Sequence, residues 1–108
     1  MNDTLDRLQC ATLRLSQEGT IKDRLADAYT THLRDIDVEH LPENLRGPFD
    51  QLRSAMHREV PQQPRESAVR ASVRKMSNLE ARHLAELVVR LFAAAPKASD
   101  ANVSQARL

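Results

Sequence analysis

Between Ser77 and Ala95 the chain reads SNLEARHLAELVVRLFAAA, its longest stretch of clear helical spacing. Leu84, Leu87, Val88, Leu91 and Phe92 recur at intervals of three and four, joined by Ala81, Ala85 and Ala95. At about 100° per residue they cover roughly half the circumference, a wider arc than the stripe of an ordinary surface helix. A helix that apolar cannot stand alone. It has to be covered on two sides, by neighbouring helices or by a second copy of the chain. Ser77, followed three residues later by Glu80, forms the pattern of a capping box. The hydroxyl accepts from the Glu80 N–H, and the carboxylate can reach back to the Ser77 N–H. Pro96 ends the helix. Arg82, Glu86 and Arg90 fall on the remaining face.

The upstream sequence divides into further helices. Asp3 opens the first, running to about Gln17, with Leu5, Leu8, Thr12 and Leu15 on one stripe and Cys10 and Leu13 on the opposite side. Gly19 closes it and Thr20 opens a second, whose inner face carries Ile21, Leu25, Ala28, Tyr29, His32 and Ile36. Pro42 fits a first helical turn. Leu41, Leu45, Phe49, Leu52 and Met56 then keep helical spacing straight through Gly47-Pro48, so either one helix kinks there or a short turn at 42–46 precedes a helix restarting at Pro48, and the break is the preferred reading. Pro61-Gln-Gln-Pro64 is a loop. A fourth helix follows over about 65–75, with Val69, Val73 and Met76 inward and Arg70, Arg74 and Lys75 outward. The capping box at Ser77 separates it from the last helix, since one continuous helix would place Glu80 amid the apolar stripe. The expectation is an all-α bundle of four or five helices in one domain over 1–96, with a flexible tail over 97–108.

Length and composition agree. A chain of 108 residues is near the commonest domain size and buries a core without staples. Its formal charge of +1 argues against a global field that drives it onto nucleic acid or membrane. The charge is unevenly spread, however: 1–60 holds 8 Lys/Arg against 11 Asp/Glu, and 61–108 holds 8 against 4. Pairing of an acidic front with a basic back, within one chain or between two, is the plain reading. Cys10 is the sole cysteine, so neither an intrachain disulfide nor a cysteine metal cluster can form. The start MNDTLDRLQ lacks a signal pattern, and no apolar run approaches the ~20 residues that span a bilayer. The expected setting is the cytoplasm.

Three constellations bear on function. Glu80-x-x-His83 has the i, i+3 spacing of carboxylate-bridged metal bundles. It occurs once, and no glutamate on the inner stripe of the first two helices completes a site. His32 offers a titratable group on an inner face, while His40 and His57 read as loop and surface residues. Arg65, Arg70, Arg74 and Lys75 give the fourth helix a basic outer surface, and with the next helix they suggest a duplex-DNA reader making phosphate contacts. The Asn and Gln base readers of such a helix are missing. For catalysis there is no Gly-rich phosphate loop, no carboxylate pair in a pocket, and no nucleophile beside a histidine and an acid.

The expected function is therefore a non-catalytic, regulatory or adaptor-like module with no cofactor, which binds a protein partner through a helix face. A homodimer is its simplest form. Leu13, on the outer side of the first helix, and the acidic Asp23 and Asp27 of the second are the residues the sequence offers for that surface. DNA binding by the basic helical pair is the alternative, and a dimeric Glu80/His83 metal site a remote one.

Overall fold

A computed structural model describes residues 3–96. It contains five α-helices and, among the described residues, no strand. They are α1 (Asp3–Leu15), α2 (Ile21–Ala28), α3 (Glu43–Met56), α4 (Ala68–Lys75) and α5 (Asn78–Ala94). The expectation for 97–108 lies outside the described residues.

Each of the last helices starts where a hydroxyl meets the backbone. Thr20 Oγ1 accepts from the Asp23 N–H at 3.1 Å, opening α2. Ser67 Oγ accepts from the Arg70 N–H at 3.1 Å, opening α4. Ser77 Oγ accepts from the Glu80 N–H at 3.0 Å, opening α5. Each satisfies one of the N–H groups that a first turn leaves without a partner. Ser67 moves the start of α4 to Ala68, three residues later than the spacing suggested. Between α4 and α5, Met76 is extended (φ −83°, ψ 157°) and buried. The helices are separate, as the cap implies.

α5 packs against α1, α2 and α3, so its wide apolar arc is covered within one chain. Ala81, Leu84, Ala85, Val88 and Leu91 are buried there, with Leu87 and Phe92 half-buried beside them. The α1–α2 hairpin turns at Gly19, whose φ of +115° is open to glycine alone at little cost. Arg24 holds this corner from the far side, donating to the Gly19 carbonyl at 3.1 Å and to the carbonyl of Leu15. In α1 the buried line is Thr4, Leu8, Ala11 and Leu15, one position round from the expected stripe. Ala11 lets the helices approach closely, while Thr12 turns its hydroxyl back to the Leu8 carbonyl at 2.9 Å.

Two expectations fail for physical reasons. α3 is continuous through Gly47-Pro48, and Pro42 is its N-cap rather than its first helical residue. A proline inside a helix costs about 3 kcal/mol through its missing N–H and its ring. Much of the rest of the strain comes from the Cβ of the preceding residue. Here that residue is Gly47, which has none. Burial of Leu45, Phe49, Leu52 and Met56 along one line outweighs what remains.

The second concerns His32. α2 runs into a π-helical turn, Tyr29–Leu33, closed by the Arg34 N–H donating to the Tyr29 carbonyl at 2.8 Å. The wider turn rotates the following residues, so Leu33 is fully buried where α-helical spacing had placed His32. His32 is half-exposed at the side.

A continuous α3 makes Pro48 a standing defect. Pro48→Ala should raise stability by about 1–2 kcal/mol, the regained helix bond minus the lost chain stiffness. Urea midpoints measure it. An unchanged or lower midpoint would mean that the helix depends on the proline.

Candidate interaction surface

The charged surfaces singled out in the sequence turn out to face one another. α2 packs against α4, and Arg70 bridges the two, reaching Asp23 at 3.3 Å and Asp27 at 3.0 Å. Asp27 accepts a second guanidinium, Arg14 of α1, at 2.8 Å. Arg74 binds Glu66 through two bonds of 2.8 and 3.2 Å, and holds the Glu66 carboxyl below its usual range. Lys75 lies 3.4 Å from Glu59. Lys22 Nζ donates to the Arg74 carbonyl at 3.3 Å, completing the link. Exposed pairs such as these contribute up to about 1 kcal/mol each. Their main effect is to neutralise one another and set how α2 lies on α4. Arg65, in the loop before α4, makes no ion pair among the described residues.

Glu80 is similarly engaged. Arg58, just past the end of α3, clamps both of its oxygens at 2.9 and 3.1 Å, which keeps the carboxyl below its ordinary value. The backward arm of the capping box is thus exchanged for a tie between α3 and α5. His83, one turn on, is exposed toward Gln51 of α3. Among the described residues no three His, Cys, Asp or Glu side chains converge as a metal site would require. Cys10 is exposed on the outer side of α1.

Sequence spacing gave no hint of the contact between Tyr29 and His57. Tyr29 opens the π-helical turn and is fully buried, and its hydroxyl meets His57 Nε2 at 2.8 Å with the rings edge to face. Burial pushes the phenol up. Desolvation, then Arg53 and Arg34, push the imidazole below its ordinary 6.5. Arg53 lies over the Phe49 ring at 4.9 Å and donates to the Ile36 carbonyl at 2.8 Å, tying the chain beyond the π turn to α3. This cluster ties the π turn and the segment after it to the C-terminal end of α3.

The outer face of α5 combines unpaired charges with exposed apolar residues. Leu79 is 60% exposed and Val89 42%, with Arg82, Glu86 and Arg90 exposed between and beside them. None of these three charges makes an ion pair among the described residues. Alongside runs a groove of about 340 Å³ between α5 and the α1–α2 corner. Leu15, Ile21, Ala85 and Val89 form its apolar walls, and Arg82, Glu86 and Arg90 its charged ones. The sequence located the charges of this face but not its two large apolar residues or the groove, which needs α1 and α2 in place. Leu13, 55% exposed, lies on the side of α1 turned away from the core.

No protein-family model matches the chain, and neither the characterised proteins nor the solved structures searched contain a match.

The His57 geometry has a pH consequence. Its pKa is lower folded than unfolded, so the unfolded chain takes up the proton first. The stability this group supplies is complete above 6.5 and is lost as pH falls below that value, until His57 is protonated in the folded state too. Urea midpoints should therefore decline across this window in wild type and less so in His57→Gln. Equal slopes would contradict the assignment.

Proposed function

We propose that this chain is a non-catalytic protein-binding module, regulatory or adaptor-like, which docks its partner on the outer face of α5 and the adjoining groove. One observation carries the reading. Asp23, Asp27, Arg70, Arg74 and Lys75 are spent in contacts within the chain, whereas α5 presents two large apolar side chains and three unpaired charges beside an apolar recess. Clusters of that composition are what partner helices bury. A single exposed thiol, with no helix among the described residues long and apolar enough to cross a membrane, suits work in the reducing cytoplasm.

Duplex DNA is the weaker alternative. Phosphate binding draws on cations with no closer anion, and Arg70, Arg74 and Lys75 each have one. Were DNA the partner, Arg70→Glu with Arg74→Glu would abolish salt-sensitive binding. The expectation is that wild type shows none at low salt.

A photo-crosslinking residue at Val89, in cells, tests the main reading. A discrete adduct at Val89, absent when the probe sits at exposed Ser54 on α3, is the expected result. No adduct at Val89, or equal adducts at both positions, would refute the proposal.

A further inference from the structure

The exposed face of α5 is self-complementary, and we infer that its occupant is a second copy of the chain, packed α5 against α5 in antiparallel register about a two-fold axis level with Leu84. This rests on the reading of that face as the docking surface, and adds the partner and the geometry.

Leu79, Arg82, Glu86 and Val89 follow the three-four-three spacing of a coiled-coil seam and lie within about an 80° sector of the helix. All four are exposed. In an antiparallel pair, residues at equal distances on either side of the axis meet. Arg82 and Glu86 stand two positions either side of Leu84, so each arginine meets the glutamate of the other copy. Leu79 and Val89 stand five positions either side, so each leucine meets the other copy's valine. One axis satisfies both relations.

Charge selects this register. Moving the axis to Glu86 would set the two glutamates against each other and Arg82 against Arg90. Moving it to Val88 would pair Glu86 with Arg90 but carry Leu79 beyond Ala94, the end of the opposing helix. Neither charge is paired within its own helix. Arg82 precedes Glu86 by four residues, the less favourable order, and neither that pair nor Glu86 with Arg90, which has the favourable order, forms an ion pair among the described residues. The groove supplies the socket. Leu79 of the second copy, level with Val89, arrives where Val89, Ala85, Leu15 and Ile21 form the wall, a knob entering a hole. Such an interface is isologous, the commonest form of soluble homodimer.

Sedimentation equilibrium of the full chain tests this, with circular dichroism confirming that each variant remains folded. Wild type should show a concentration-dependent dimer. Arg82→Glu alone and Glu86→Arg alone should each weaken it by about tenfold, since each replaces two attractive pairs by two repulsive ones. Mixing the two variants should restore it. In the mixed dimer both glutamates of one chain meet arginines of the other, which no contact within one chain can reproduce. Val89→Asp should abolish the dimer, and Leu13→Asp, on the far side of α1, should leave it intact.

A monomer at every concentration overturns the inference, as does a dimer indifferent to Arg82→Glu or one that mixing fails to restore. Failure of the two readings is distinguishable. A Val89 adduct to a different protein, with a monomeric chain, removes the second copy and leaves the docking face. No adduct and no dimer remove both.

Discussion

Ser77 and its bond to the Glu80 N–H decide the shape of the molecule. Without that cap and the extended Met76 before it, α4 and α5 would run on as one rod. Glu80 would then point into the apolar stripe, and α5 could not lie among α1, α2 and α3. The turn lets the most apolar helix insert between its neighbours while α4 remains outside, against α2 and α3. One hydroxyl supplies only about 1 kcal/mol. Its leverage comes from what it positions, because the buried line from Ala81 to Leu91 forms only after the chain has turned. Arg58 secures the same point from α3 by holding Glu80.

Part of the charge asymmetry between the halves of the chain is resolved within the monomer. Asp23 and Asp27, with Arg70 between them and Arg14 behind, form a short network across three helices. Solvent screening keeps such pairs weak in energy, yet they leave the surface of α2 and α4 nearly neutral. Recognition by a strongly charged partner therefore has little to work on there. The outer face of α5 differs in kind. Its charges alternate and are unmatched, and its apolar residues sit at the ends of the charged stretch rather than under it. That arrangement is oriented, and an oriented face discriminates between partners and registers.

Much of the fold was legible because helix spacing, caps and breakers are local. Gly19, Thr20, Pro61, Pro64, Ser77 and Pro96 punctuate the chain where the helices end and begin. The misreadings share another cause. At Gly47-Pro48 a breaker was overruled by burial of Phe49 and its line, a tertiary effect that no window of sequence contains. His32 and Leu33 exchanged places because a π turn changes the periodicity itself. Tyr29 meets His57 across 28 positions, so neither residue announces the other. The proposed docking face was half legible: Arg82, Glu86 and Arg90 read as a solvated stripe, while Leu79 and Val89 gained meaning only once the core was seen to leave them out.

The inference most exposed to test is that two copies of this chain pair through the outer face of α5. A dilution series followed by amide nuclear magnetic resonance addresses it residue by residue. The account predicts concentration-dependent shifts confined to Leu79, Arg82, Glu86 and Val89 and to Leu15 and Ile21 beside the groove, with α4 silent. Shifts centred on Asp23, Asp27 and Arg70, or none at any concentration, would contradict it.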